Sequence, residues 1–232
     1  MFLSAPGDPP ARLALIDLGT NTASLSVLFA DERDRRRLRI AEDLHIVTGL
    51  GRGRDADGAL SVEGRRRAVV ALRHFAGRLD ALGVEPDAVL GAATSATREA
   101  PNGPAFLEAV AEDCGLRLAV VSGEQEAELV ALAQERSFLR RLPLLVVDIG
   151  GGSTELALRR KGRTDWAVSL PTGSVKLAER LGSDAEALDA EVLEVLQQAP
   201  SVRERATLVG VAGTVTTAFQ LVHGLSTWDP VE

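Results

Sequence analysis

Two aspartates with the clearest chemical potential each precede a short turn of small residues. Asp17 opens the segment DLGTNT, and Asp148 opens DIGGGST. Glycine lets backbone N–H groups approach an anion without obstruction, and the neighbouring hydroxyls add donors. An aspartate repels phosphate directly, but it can hold Mg²⁺, which bridges carboxylate or water to phosphate oxygens. Both segments therefore predict phosphate-binding loops that work together with a divalent cation.

These two segments form an internal repeat with an offset of 131 residues. The stretch 17–28 falls on 148–159, so that the aspartate, the first glycine and a hydroxyl residue coincide. In both copies an apolar strand leads into the turn and an alternating strand follows it. Turns in β-hairpins commonly use such residues, but the shared aspartate and the matched strands favour two similar domains, each presenting one turn to a common cleft.

The second copy carries a carboxylate that the first one lacks. Glu155 takes the position that Ser24 holds in the first copy. It lies across the turn from Asp148, where it is either a further metal ligand or water-positioning group, or a solvated strand residue. A third glycine turn is predicted at GVAGT (210–214), between an apolar strand and a helix, as another wall of the cleft.

A helix between the repeats supplies the candidate for catalysis. Ser122 and Gln125 have the spacing of a capping box, which predicts a helix start at Ser122. Glu124, Glu126 and Glu128 crowd its first turns. The helix dipole explains the first and last of these. It explains Glu126 less well, because this residue lies where the helix would direct it at the cleft, and a carboxylate there can take a proton from water.

Other polar residues carry less information. Arg98 follows a predicted strand and precedes a Pro-Asn-Gly turn, where arginine suits bidentate oxyanion contact, although a surface arginine is equally compatible. Cys114 is interpreted as a packing residue. The three histidines, His45, His74 and His223, are scattered along the chain and are interpreted as structural.

The elements that must position these residues alternate between strands and helices. A helix from Ser61 to Gly83 is predicted to bury Val69, Val70, Leu72, Phe75, Leu79 and Leu82. Further helices are predicted at 104–115, after Ser122 and from Ser174. Strands are predicted at 13–19, 22–30, 87–94, 116–123, 142–150 and 206–213, with another around RLRIAEDLHIV and a turn at Lys161-Gly162. This order indicates an α/β protein.

Bulk properties exclude several classes of protein. The net charge of −7, with 26 basic and 33 acidic residues, argues against a general binder of nucleic acid or membrane surfaces. Basic residues cluster at 33–39 and 64–67, either as solvated surface or as a track for a long polyanion. No signal peptide or apolar span is apparent, and a single cysteine fits a reducing compartment. We expect a soluble, cytoplasmic protein.

Six ordered motifs resemble the exopolyphosphatase/guanosine pentaphosphate phosphohydrolase (Ppx/GppA) family. They are IDLGTNT (16–22), ATSATREAPN (93–102), SGEQEAEL (122–129), VVDIGGGSTEL (146–156), LPTGSVKL (170–177) and GVAGTVTT (210–217). The resemblance implies a duplicated actin-like (ribonuclease H-like) ATPase fold, with mixed sheets flanked by helices and a cleft between two domains at 1–125 and 126–232. We expect the second domain to lack its C-terminal part, because the chain ends at TWDPVE.

The same resemblance implies roles for individual residues. Glu126 would be the general base and Arg98 a phosphate ligand at the catalytic centre, and Asp148 with Glu155 would hold the metal. Family members often have two adjacent glutamates where this chain has Gln125-Glu126, and the second aligns with the base. The implied substrate-binding residues are Asp17, Gly19, Thr20, Asn21, Thr22, Gly150, Gly151, Gly152, Ser153, Thr154, Gly173, Ser174, Gly213 and Thr214.

The implied activity is Mg²⁺-dependent release of terminal phosphate from inorganic polyphosphate. The alternatives are a pppGpp 5′-phosphohydrolase, a phosphotransferase that moves phosphate from polyphosphate to a nucleoside diphosphate, and a non-catalytic sensor of polyphosphate or nucleotide. A homodimer is compatible with such a family, although no sequence feature establishes one.

Overall fold

The computed structural model describes residues 12–31, 38–54 and 57–225. By its internal contacts the chain divides into two compact units, Met1–Val120 and Val121–Glu232. Most of the basic run 33–39 and the whole TWDPVE segment lie outside the described residues. No helix in the described ranges is long and apolar enough to cross a bilayer.

The first unit is built on a five-stranded mixed sheet in the order β3-β2-β1-β4-β5. The central strand β1 runs antiparallel to β2 and parallel to β4. The strands are β1 (Arg12–Leu18), β2 (Thr22–Ala30), β3 (Leu38–Val47), β4 (Val89–Ala93) and β5 (Leu118–Val120).

The core of the first unit covers one face of this sheet. Alternate strand residues such as Ile16 and Leu25 lie on this face and are buried against Leu72 and Phe75. Asp17, next to Ile16 in the strand, lies on the other face of the sheet. Val70 is 55% exposed, so its predicted burial is wrong, because it lies on the solvent side of the helix. The helices are α1 (Val62–Ala81), α2 (Ser95–Glu99) and α3 (Gly103–Cys114).

The second unit repeats the topology of the first four strands. Its sheet has the order β8-β7-β6-β9, with β6 antiparallel to β7 and parallel to β9. These strands correspond to β3, β2, β1 and β4 respectively. The predicted class, a duplicated α/β fold with mixed sheets and flanking helices, is confirmed. The strands are β6 (Leu144–Ile149), β7 (Thr154–Arg160), β8 (Arg163–Leu170) and β9 (Thr207–Val211).

Helices cover both faces of the second sheet. Ala127 and Ala131 pack against Val146 and Ala157 on one face, and Val195 belongs to a cluster on the other. The helix predicted from Ser174 ends at Leu181, before Gly182 with its positive φ of 60°. The helices are α4 (Gly123–Ser137), α5 (Ser174–Leu181), α6 (Ala185–Leu196) and α7 (Ala212–His223).

Candidate phosphate site

The two predicted loops adopt the same hairpin turn. In the first unit, the Gly19 amide donates to the Thr22 carbonyl over 2.9 Å. In the second, the Gly150 amide donates to the Ser153 carbonyl over 3.0 Å. These four residues are matched by the 131-residue offset, so the repeat seen in the sequence is also a repeat of local backbone structure.

In the second loop, the carbonyl groups are turned toward the start of α5. The Ser174 amide donates to the Gly150 carbonyl over 3.0 Å, and the Val175 amide donates to the Gly151 carbonyl over 2.9 Å. A peptide group is planar, with its C=O and N–H pointing in opposite directions. The amides of Gly151 and Gly152 therefore point away from α5, as binding of an anion requires.

The first loop shares part of this arrangement, because its Thr20 carbonyl, the counterpart of the Gly151 carbonyl, accepts a bond from the segment after β3, as the Asn21 carbonyl also does. The Asn21 amide therefore points away from that segment. Within the ranges that the structure describes, the amides of Thr20, Asn21, Gly151 and Gly152 donate to no protein acceptor. Each loop thus presents backbone donors, and a phosphate group is a suitable acceptor for them.

Gly173 supports the second loop from behind. A Cβ atom at this position would lie 2.5 Å from the Gly151 carbonyl carbon and 2.6 Å from the Gly152 nitrogen. The Ser174 amide and hydroxyl both donate to the Gly150 carbonyl. The geometry therefore gives Gly173 and Ser174 a role in holding the loop, and their contact with the substrate stays a prediction.

Two carboxylates lie opposite each other beside the second loop. Asp148 on β6 pairs in register with Glu155 on β7, and Glu155 pairs with Ser169 on β8. Glu155 is 2% exposed and accepts a 2.6 Å hydrogen bond from the Ser169 hydroxyl. Like charges placed directly opposite destabilise a sheet. A bound cation would offset that repulsion.

This donor set fits Mg²⁺. Among the described residues, no three His, Cys, Asp or Glu side chains come together as a metal cluster. Magnesium commonly uses one or two carboxylates together with water and substrate phosphates. The pair formed by Asp148 and Glu155 meets that requirement without a third protein ligand.

The corresponding row in the first unit contains Asp17, Ser24 and His45, which lie side by side on β1, β2 and β3. Desolvation raises the pKa of Asp17 above its ordinary value of 3.8, and the nearby His45 opposes that increase. His45, which the sequence favours as a structural residue, thus lies in the same row as Asp17. The repeat was the available signal, because β3 corresponds to β8 and both carry a polar residue in this row.

The raised pKa leads to a prediction about stability. The folded protein binds the Asp17 proton more tightly than the unfolded chain, so ionised Asp17 lowers the free energy of unfolding as pH rises through the raised pKa. We expect Asp17→Asn to be more stable than the wild type at pH 7.5, with the advantage shrinking as pH falls towards 3.8. Urea unfolding across this range tests it. Asp87→Asn, which lies outside the row formed by Asp17, Ser24 and His45, is the control, and an equal change in both variants would contradict the expectation.

A buried ion pair between Glu135 and Arg159 links the C-terminal end of α4 to the β7–β8 hairpin. Arg159 Nε donates to Glu135 over 2.7 Å, and the Gly162 amide donates to the same carboxylate over 2.8 Å. The hydrogen bond from Gly162, and after it that from Arg159, lowers the pKa of Glu135 below its ordinary value. Arg159 pairs with Leu144 at the beginning of β6. The C-terminal end of α4 therefore lies at the end of the sheet opposite the phosphate loop.

Glu126 consequently lies at the same end of the sheet as Asp148. It precedes Glu135 by nine residues, roughly 13 Å along a helix. Asp148 follows Leu144 by four residues, also roughly 13 Å along a strand. The predicted capping box is confirmed, since Gln125 and Ser122 exchange hydrogen bonds of 2.9 and 3.1 Å.

The side of α4 on which Glu126 lies also follows from the packing. Glu124 and Glu128 line a groove of about 490 Å³ together with Trp166 of β8. Successive helical residues differ by about 100°, so Glu126 is on roughly the opposite side of the helix from Glu128. Because β6 lies on the far side of β7 from β8, half-buried Glu126 is on the flank nearer β6 and Asp148.

Two other predicted site regions lie where a strand leads into a helix. Arg98 is half-buried and lies in the short helix α2. The residue before this helix, Thr94, donates its amide to the Leu18 carbonyl over 3.1 Å. Within 210–214, where a glycine turn was predicted, the backbone turns at Ala212, whose φ of 68° is left-handed. β9 ends at Val211 and α7 begins at Ala212, so Gly213 and Thr214 occupy the first helical turn.

The fold and the loops define a class of protein: a duplicated α/β fold in which each sheet carries a glycine-containing hairpin turn after the strand that pairs antiparallel on one side and parallel on the other. The profile of the Ppx/GppA phosphatase family matches residues 31–227. The chain belongs to this family, which is part of the actin-like ATPase superfamily.

Solved structures agree with this assignment. The Aquifex aeolicus PPX-GPPA enzyme is 29% identical, with a TM-score of 0.75 over 96% of this chain and 74% of that one. An exopolyphosphatase from Cytophaga hutchinsonii is 25% identical, with a TM-score of 0.76 over 94% of this chain and 72% of that one.

A longer relative is the bifunctional 3-dehydroquinate synthase/phosphatase of Fusobacterium nucleatum subsp. nucleatum. It is 30% identical over 93% of this chain. The chain spans 35% of the length of that protein.

Proposed function

We propose that this chain hydrolyses the terminal phosphoanhydride bond of inorganic polyphosphate. The observation that carries the proposal is the combination found in the second unit. There, the outward amides of Gly151 and Gly152, the Asp148–Glu155 pair and the Glu126 end of α4 all belong to one end of one sheet. Donors for phosphate, carboxylates for a cation and a base for water are the parts that such a hydrolysis needs.

In the proposed reaction, Glu126 accepts a proton from water as the water oxygen attacks the terminal phosphorus. The bond from that phosphorus to the bridging oxygen breaks, and the shortened polyphosphate leaves with the bond's electron pair. The amides of Gly151 and Gly152 donate to the phosphate oxygens on which negative charge is concentrated. Ser153 and Thr154 flank these amides, although the Thr154 hydroxyl donates to the Thr172 carbonyl over 2.8 Å.

Asp148 and Glu155 are the residues proposed to hold Mg²⁺. When bound, the ion supplies positive charge to the phosphate oxygens and to the leaving group. The hydrogen bond from Ser169 keeps the Glu155 carboxylate in a defined position beside Asp148.

Phosphate contacts are also proposed within the first unit itself. The outward amide of Asn21 and the neighbouring amide of Thr20 are suited to bind phosphate groups, and Arg98 is suited to neutralise their charge. Asp17 is proposed to act in substrate binding through a cation. Its desolvation then has a functional explanation, and Asp17→Asn should combine increased stability with decreased phosphate release.

A comparison of three substrates tests the proposed function. Phosphate release from long-chain polyphosphate, pppGpp and ATP is measured in parallel, with Mg²⁺ and with EDTA. We expect Mg²⁺-dependent release from polyphosphate that exceeds release from the other two. Faster release from pppGpp would show that the proposed substrate is wrong and that the proposed hydrolytic reaction is right. Binding of polyphosphate without release from any substrate would contradict the enzyme assignment and favour a sensor.

A further inference from the structure

A short turn after β3 holds the first phosphate loop. We call residues 48–51 the strap. The amides of Thr48 and Gly49 both donate to the Asn21 carbonyl over 2.9 Å, and the Gly51 amide donates to the Thr20 carbonyl over 2.8 Å. Three hydrogen bonds thus fix two consecutive carbonyl groups of the loop. Because the peptide group is planar, fixing the Thr20 carbonyl also fixes the direction of the Asn21 amide.

The strap is in turn held by an arginine of α1. Arg67 Nε donates to the Thr48 carbonyl over 2.5 Å, and its Nη2 donates to the Gly49 carbonyl over 3.0 Å. Its Nη1 donates to Glu63 over 3.3 Å. Arg67 belongs to the basic run 64–67, and these bonds give it a structural task within its own unit.

The strap also packs tightly against the first phosphate loop at Gly51. A Cβ atom at Gly51 would lie 2.4 Å from the Thr20 methyl carbon, Cγ2. Gly51 has no positive φ, so its backbone conformation suits alanine and only this contact opposes a side chain. Thr20 is 6% exposed, which leaves its methyl group little space to move.

The second unit uses a comparable device. The segment after β8 donates to the Gly151 carbonyl from the amides of Val175 and Lys176, over 2.9 and 3.2 Å. Gly151 corresponds to Thr20 in the repeat. In both units the segment after the third strand therefore fixes the carbonyls of the phosphate loop.

We propose that the strap and Arg67 are positioning elements that set substrate affinity by holding the amide of Asn21 toward the substrate. The inference rests on the proposed function, because it assigns that amide to phosphate binding. Neither Gly51 nor Arg67 needs to touch the substrate. Both act through the Thr20–Asn21 peptide group.

The test uses a variant and its steric rescue. Gly51→Ala should push the Thr20 methyl group and raise KM for polyphosphate about 10-fold or more, with a smaller change in kcat. Thr20→Ser removes the obstructing methyl group and keeps the hydroxyl. The double variant Thr20→Ser/Gly51→Ala should therefore return to the KM of Thr20→Ser alone. Gly77→Ala, where the added Cβ meets no described atom within 4 Å, is the matched control.

A second readout does not depend on catalysis. Hydrogen exchange at the Thr48 and Gly49 amides should accelerate in Gly51→Ala and in Arg67→Lys, while the amides of Val175 and Lys176 keep their wild-type rates. Unchanged exchange and KM in both variants, or no rescue by Thr20→Ser, would overturn the strap proposal. If the wild type releases no phosphate, the proposed function fails. The exchange result and polyphosphate affinity measured by titration would then still decide the role of the strap.

Discussion

Glu126→Gln is expected to lower phosphate release by about 10²–10⁴-fold, the usual contribution of a general base. The amide keeps the shape of the carboxylate but cannot accept a proton from water. Glu126 lies on the α4 flank nearer Asp148, at the end of the second sheet that carries the phosphate loop. Affinity for polyphosphate should change little, because the loop amides and the metal carboxylates remain. Steady-state kinetics with an independent binding titration measure both quantities.

The same helix offers matched controls for this variant. Glu124→Gln and Glu128→Gln make the same chemical change at exposed positions on the groove side of α4. Their kcat should stay near the wild-type value. A loss of similar size in all three variants would indicate a general effect of charge at the helix N-terminus. Undiminished turnover in Glu126→Gln would rule out Glu126 as the base.

Gly173→Ala is expected to have the largest effect of any change outside the proposed catalytic groups. The new Cβ would meet the Gly151 carbonyl carbon at 2.5 Å and the Gly152 nitrogen at 2.6 Å. The Gly173 backbone is extended, with φ −161°, so the backbone conformation itself accommodates alanine. The collision is with the backbone of the phosphate loop, which must shift. Misplacement by about 1 Å can reduce a rate by about 10²-fold.

We therefore expect Gly173→Ala to lower phosphate release by about 10²-fold or more, and to lower the free energy of unfolding by about 1–3 kcal/mol through overpacking. Kinetics and urea unfolding measure the two effects. Gly77→Ala, with open space around the added methyl group, should retain full activity. Wild-type activity in a folded Gly173→Ala protein would show that the loop tolerates displacement and would contradict this explanation.

Gly51 and Gly173 differ in what they approach, and so in how their substitutions can be repaired. At Gly51 the obstacle is the Thr20 methyl group, which a second substitution can remove. At Gly173 the obstacle is the peptide between Gly151 and Gly152, which no side-chain change can remove. Rescue is therefore expected at the first position and not at the second.

The local features were readable from the sequence because they have local causes. Strand alternation, the capping box at Ser122 and the shared Asp-containing turns depend on residues a few positions apart. The 131-residue repeat then implied that both turns would have the same structure, and the Gly19 and Gly150 hydrogen bonds agree with this. The burial of Val70 was predicted wrongly because the buried face of α1 includes the small residues Ala68 and Ala71. Helical periodicity of the large apolar residues alone does not show where such a face ends.

The sequence by itself therefore determined the fold class, the family and the positions of the two turns that we propose as phosphate loops. The tertiary structure alone decided which groups stand beside those loops: the pairing of Glu155 with Ser169, the flank of α4 that carries Glu126, and the contacts of Gly51 and Gly173. These arrangements arise when segments separated by 14 to about 30 residues pack together. Neither periodicity nor turn chemistry encodes such contacts, because they depend on strand register and on the close approach of backbones that are distant in the chain.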